Sequence, residues 1–64
     1  MQESDEGRRE QAKTTILLLS ESRLGPPGEP IKARLDNITD LGRLDRMILQ
    51  AVTAANWQEI LKTL

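Results

Sequence analysis

The chain has 64 residues, nine Lys and Arg against ten Asp and Glu, a net charge of −1, and neither cysteine nor histidine. The near-neutral balance disfavours electrostatic binding to nucleic acid or to an anionic membrane, and the missing side chains exclude disulfides, thiolate metal sites and histidine-based zinc sites. A domain of this size buries only about 60% of its unfolded surface, so we expect help from a partner subunit or a parent chain.

The N-terminal stretch over residues 1–13 is strongly charged and almost free of apolar side chains. Gly7 weakens a helix by about 1 kcal/mol relative to alanine. We therefore predict a disordered charged tail over 1–7 and a helical domain over 8–64. The longest apolar run, 16–19, is too short for a membrane span or a signal-peptide core. We expect a cytoplasmic protein.

A first helix is predicted over 8–23. One broad side of it is apolar and holds Ala12, Ile16, Leu17, Leu19, Ser20 and Leu24. Leu18 points away from that side. Gly25 can take a positive φ at the C-terminal end of the helix, and Pro26 and Pro27 prevent its continuation.

Two further helices are predicted over 30–38 and 40–54. Pro30 suits the first turn of the former, and Thr39 is the expected N-cap of the latter. We call the helix over 40–54 the central helix, because the rest of the chain is organised around it. Its apolar face is predicted to hold Leu41, Leu44, Ile48, Ala51, Val52 and Ala55, widened by Met47 and Ala54.

A short fourth helix is predicted over 57–63, because Asn56 stands three residues before a glutamate, the spacing of a capping box. Trp57, the only aromatic residue, opens this helix. We expect it to pack against the central helix near Leu44 and Ile48. The sequence as a whole predicts an all-α fold, a small bundle of about four helices.

Reactive groups are scarce. No nucleophile has a base beside it, because histidine and cysteine are missing. Asp36, Asp40 and Asp45 lack the spacing of a calcium loop, and Gly28 lacks the strand and glycine spacing of a phosphate-binding loop. We predict no enzyme activity, and no catalytic, cofactor, metal or small-molecule site.

Apolar side chains cover more of the first helix than one small domain can bury. Residues 16–19 spread over about 300° of the helix circumference. We therefore expect self-association as a homodimer through this helix, or contact with the domains of a parent protein. The candidate interface residues are Ile16, Leu17, Leu18 and Leu49.

The alternative is an accessory nucleic-acid-binding module. Four basic residues could gather on one surface, with the second and central helices imitating a helix-turn-helix: Lys32, Arg34, Arg43 and Arg46. The near-zero net charge argues against this reading, and we expect the isolated chain not to bind nucleic acid tightly.

Motifs along 6–60 resemble those of a known bacterial family. The segment 6–11 matches a charged stretch rich in Glu, Gly, Arg and Gln, and 23–25 matches an Arg-Phe-Gly end of a leucine-rich helix. The segment 31–35 matches a short Val-Arg-Ala-Arg-Ile helix. Leucine spacing and a final Leu-Glu-Glu-Leu are matched by Thr39, Leu41, Leu44, Met47, Ile48 and 57–60.

On these motifs the chain is similar to the small helical C-terminal domain, of unknown function, of the Rpn-like proteins. These are the recombination-promoting nucleases, often labelled transposases. Departures occur at Leu24, in place of Phe, at 27–28, in place of Leu-Pro, and at Gly42, in place of a helix former. The resemblance implies an accessory module, because the family's catalytic Glu-x-Lys lies in a separate N-terminal nuclease domain and does not occur in this chain.

Overall fold

The structure, a computed structural model, describes residues 4–64. It contains α1 (Asp5–Leu24), α2 (Glu29–Asp36), α3 (Leu41–Thr53) and α4 (Trp57–Leu61). Within the described range the chain forms no strand. The predicted all-α class and four-helix bundle are therefore confirmed.

The start of α1 differs from the prediction, because the helix begins at Asp5 and not at residue 8. The Ser4 hydroxyl caps it by accepting the N–H of Gly7 at 3.0 Å. Asp5 and Glu6 add negative charge to the positive end of the helix. A cap worth about 1 kcal/mol offsets the helix penalty of Gly7. Residues 5–7 are thus helical, and 1–3 of the predicted tail lie outside the described residues.

The loop between α1 and α2 follows the expectation. Gly25 has φ 83°, and its N–H donates to the Glu21 carbonyl at 3.0 Å. A residue with a Cβ would be strained at this φ. Pro30 lies in the first turn of α2, whose start is Glu29, one residue earlier than predicted.

The N-cap of α3 is Asp40 and not Thr39. One oxygen of its carboxylate accepts the N–H groups of Gly42 at 2.9 Å and Arg43 at 3.3 Å. A single carboxylate therefore serves two of the donors that a helix start leaves open, and its negative charge favours that end.

The capping box at α4 is confirmed. Asn56 accepts the N–H of Glu59 at 2.9 Å, and the Glu59 carboxylate accepts the N–H of Ala55 at 3.1 Å. The return bond reaches one residue beyond the N-cap, whereas the usual box returns to the N-cap itself.

Helices that are neighbours in space are mostly not neighbours in sequence. α1 packs chiefly on α3, α2 packs on α4, and α3 joins the pairs by packing on α4. The chain runs up, down, up and down, so α1 and α3 point the same way. The core they enclose consists of Ala12, Ile16, Leu35, Ile38, Leu44, Met47, Ala51, Ala54, Trp57, Ile60 and Leu61.

The buried face of α3 is rotated from the predicted one. Leu44, Met47, Ala51 and Ala54 are buried, whereas Val52 is exposed. Leu41 and Ile48 are half-buried, and Ala55 is exposed beyond the end of the helix. Because α3 lies between α1 and α4, its buried face is centred between them, and the Leu41, Ile48, Val52 side turns outward. The prediction that Val52 and Ala55 belong to the core is wrong.

Basic side chains from α1 bind the C-terminal ends of other helices. Lys13 donates from Nζ to the Asp36 carbonyl, the last residue of α2, at 2.7 Å. The guanidinium of Arg23 donates to the carbonyls of Ala51 at 2.7 Å and Ala54 at 2.8 Å, at the end of α3. Helix ends leave carbonyls without partners and carry partial negative charge, so these cations satisfy both needs.

Trp57 is 7% exposed and belongs to the same core cluster as Leu44, against which Ile48 packs. Its indole N–H donates to the Gly25 carbonyl at 3.1 Å, which ties the start of α4 to the end of α1. The sequence pattern predicts the core position of Trp57 but not its hydrogen bond to the Gly25 carbonyl.

We predict that Trp57→Ala lowers the free energy of unfolding by about 3–5 kcal/mol, because a large buried side chain is lost. Trp57→Phe keeps most of the apolar volume but leaves the Gly25 carbonyl without its donor, so we expect a smaller loss of about 1–3 kcal/mol. Urea unfolding followed by circular dichroism measures both. If both variants lost the same free energy of unfolding, the packing of Trp57 and its hydrogen bond would not contribute separately, and the prediction would be wrong.

The hydroxyl of Ser20 is fully buried and has no hydrogen-bond partner among the described residues. We predict that Ser20→Ala raises the free energy of unfolding by about 1 kcal/mol, because the desolvation penalty of an unpaired hydroxyl is removed. Ser22→Ala is the control, since its exposed hydroxyl donates to the Leu19 carbonyl at 3.0 Å. A Ser20→Ala variant less stable than the wild type would show that the hydroxyl is satisfied in solution.

Candidate interface on the outer surface of α1 and α3

The parallel packing of α1 and α3 leaves a shallow groove along their outer side. The walls of the groove come from both helices and consist of Arg8, Gln11, Ala12, Thr15, Leu41, Asp45 and Ile48. This groove lies along the N-terminal halves of the two helices, where the side chains are mainly polar.

An apolar surface continues the groove toward the C-terminal ends. Residues three or four positions apart lie on the same side of a helix. Leu18 and Leu19 follow Thr15 at these spacings, and Leu49 and Val52 follow the groove residues of α3 in the same way. We call these four residues the outer patch. Their side chains are exposed by 69% (Leu18), 38% (Leu19), 72% (Leu49) and 57% (Val52).

The size of the outer patch is notable for so small a chain. The exposed fractions correspond to on the order of 400 Å² of apolar surface, the range of the largest apolar patch on a typical monomer, where such patches often bind partners. Single exposed apolar residues are ordinary, but here three leucines and a valine are exposed on two helices that pack against each other.

Two of the four predicted interface residues are exposed, and the other two are partly or fully buried. Leu18 and Leu49 lie in the outer patch. Leu17 is half-buried and packs against the core. Ile16 is fully buried, so its assignment to an interface is corrected: it is a central core residue facing the other helices.

Leu19 and Val52 also belong to this surface, although the sequence pattern places each of them on a buried helix face. Their exposure depends on where the neighbouring helices lie. The periodicity of a single helix gives the width of its apolar face but not the part of that face that a neighbour covers.

The basic residues of the nucleic-acid alternative are largely engaged within the domain. Arg43 is half-buried, and it donates to the carbonyls of Thr63 at 2.7 Å and Leu61 at 2.8 Å, where α4 ends. Arg46 donates to the carbonyl of Leu64. These guanidinium groups hold the end of α4 and present fewer donors to a phosphate.

Arg34 and Arg43 do share a second groove at the corner between α2 and α3. Asp40 lines the same groove, so an acidic residue accompanies the two cations. Lys32 is exposed on α2, and neither Lys32 nor Arg46 lines this groove. The groove therefore brings together two of the four basic residues.

Carboxylates likewise do not converge on a reactive centre. Asp40 caps α3, and Asp45 lines the groove between α1 and α3. Among the residues that the structure describes, no group of three or more Asp and Glu is placed to hold a metal ion. No helix in residues 4–64 has the length and the apolar composition needed to cross a membrane.

Comparisons with protein-family models, with curated proteins and with solved structures gave no match for this chain.

We predict that the isolated chain neither cleaves nor tightly binds DNA or RNA, because its charge is balanced and three of its arginines bind backbone carbonyls. A titration of fluorescent duplex and single-stranded oligonucleotides at several salt concentrations measures this. Submicromolar binding at physiological salt, with a steep dependence on salt concentration, would contradict the prediction and restore the nucleic-acid alternative.

Proposed function

We propose that the chain is a non-catalytic helical interaction module that self-associates as a homodimer through the outer patch. The observation that carries this proposal is the exposure of Leu18, Leu49 and Val52 on one side of the parallel α1 and α3 helices. Contact with water is unfavourable for this area, and a second copy offers an identical apolar surface in return.

Two-fold symmetry suits the composition of the outer patch. In a two-fold dimer the same surface of each subunit forms the interface, so the surface must be complementary to itself. The outer patch draws two apolar side chains from α1 and two from α3, so the α1 side of one copy can cover the α3 side of the other. The polar groove residues, at the other end of the helices, then stay in water.

The area of the outer patch sets the expected strength of the dimer. About 400 Å² from each copy is roughly half of the 800 Å² per partner that stable complexes bury. Polar residues at the edge would add to this area. We therefore expect a reversible dimer with a dissociation constant in about the micromolar to sub-millimolar range.

The parent context that we propose is the C-terminal accessory domain of an Rpn-like protein in the bacterial cytoplasm. The support for this part is the order of the sequence motifs over residues 6–60. A dimer-forming accessory domain would bring two copies of an attached domain together.

We predict that sedimentation equilibrium detects a monomer–dimer equilibrium of the wild-type chain and that Leu18→Asp shifts it to monomer. Burying a leucine is worth roughly 1.5–3 kcal/mol, and the dimer contains the contact twice. Because Leu18 is 69% exposed in one copy, the free energy of unfolding of the monomer should change by no more than about 0.5 kcal/mol.

Leu64→Asp is the control for that experiment, because Leu64 is 82% exposed and lies outside the outer patch. The control should dimerise as the wild type does. A wild-type chain that stays monomeric at hundreds of micromolar, or a dimer indifferent to Leu18→Asp, would overturn the proposed function.

A further inference from the structure

The outer patch is a single surface only while α1 and α3 keep their relative position at their C-terminal ends. Leu18 and Leu19 belong to one helix and Leu49 and Val52 to the other, so a change in the spacing or rotation of the helices would separate the two halves. The contacts that hold this end together therefore decide the shape of the proposed interface.

The buried side chains of α3 itself are smaller at this end of the helix than at the other end. Its buried residues near the N-terminal half are Leu44 and Met47, whose long side chains interlock with their surroundings. Near the C-terminal end they are Ala51 and Ala54. Short side chains permit close approach, but each makes fewer contacts that resist sliding or rotation.

Arg23 supplies a directional contact at the same end. It lies one turn beyond Leu19, and the two carbonyls that it binds, at 2.7 and 2.8 Å, belong to the residues on either side of the Val52–Thr53 pair. The two donors of a planar guanidinium have a fixed separation, so the bidentate contact restrains both distance and orientation.

We infer that Arg23 is the positioning residue of the dimer interface: it binds the end of α3 so that the α1 and α3 halves of the outer patch form one surface. This inference rests on the proposed self-association. Arg23 is itself not required to contact the partner.

The test compares Arg23 with Arg43, which also binds two carbonyls at the end of a helix, α4, but through Nε and Nη2 where Arg23 uses its two Nη atoms. Dimer dissociation constants of Arg23→Lys, Arg23→Ala, Arg43→Lys and Arg43→Ala are measured by sedimentation equilibrium. The temperature is one at which circular dichroism shows each variant fully folded. Lysine keeps the charge, but its N–H donors all come from one nitrogen and cannot reproduce the two separated donor atoms of the planar guanidinium.

We expect Arg23→Ala to weaken the dimer roughly tenfold or more, which corresponds to about 1.4 kcal/mol, and Arg23→Lys to have an intermediate effect. The two Arg43 variants should lose thermal stability but keep the wild-type dissociation constant. A dimer that is indifferent to both Arg23 variants overturns the inference and leaves the proposed function intact. Equal weakening by the Arg43 variants also overturns it, because the effect would then follow from general stability.

A second measurement does not depend on dimerisation. The chain has no cysteine, so spin labels on Leu18→Cys and Leu49→Cys report the distance between the helices without background. At concentrations where the protein is monomeric, Arg23→Lys should broaden the distance distribution, whereas Arg43→Lys should leave it narrow. An unchanged distribution in Arg23→Lys would overturn the positioning role even if the wild type proved monomeric.

Discussion

Three of the four helices in residues 4–64 end on a basic side chain that comes from a different helix. Lys13 binds the end of α2, Arg23 the end of α3, and Arg43 the end of α4. Glycine, which is the more usual way to complete a helix end, serves only α1. Each of these contacts joins segments that lie at least 18 residues apart in the chain. The bonds therefore satisfy the backbone and also fix the arrangement of the helices.

The hydrogen bonds that basic side chains make within the domain influence the charge that the surface presents. A chain with nine Lys and Arg could be expected to present a positive face. Arg23, Arg43 and Arg46 donate instead to backbone carbonyls, and Arg34 lines a groove that Asp40 also lines. The most distinctive surface that is left is apolar, on the outer side of α1 and α3. The proposed self-association is argued from this distribution of charged and apolar side chains.

Local signals in the sequence predicted much of the fold, and the errors have a common physical origin. The Gly25 turn and the Asn56 capping box depend on residues within four positions of one another, so the pattern alone identifies them. The predicted start of α1 is three residues too late, because the prediction includes the helix penalty of Gly7 but not the stabilising cap of Ser4. The cap of α3 was misassigned because adjacent Thr39 and Asp40 are both good caps, and only the backbone path decides between them.

The candidate interface was predictable only in part, since exposure depends on partners distant in sequence. Leu18 could be placed outside because it lies opposite the centre of the apolar side that Ala12, Ile16 and Leu24 form. Val52 could not, because its wheel position suits a core residue and the placement of α1 and α4 around α3 decides the outcome. The long-range hydrogen bonds of Arg23 and Trp57 had no local signal at all.

The pairing of α1 with α3 and of α2 with α4 also has a consequence for how the chain folds. Neither α1 with α2 nor α2 with α3 is a principal packing pair, so no two consecutive helices among the first three form a stable hairpin. We expect that the segment between α1 and α3 must close before much apolar area is buried, so the entropy cost of closure comes early in folding. Folding should then be all-or-none, and slower than in helical proteins of similar size whose contacts are mostly local.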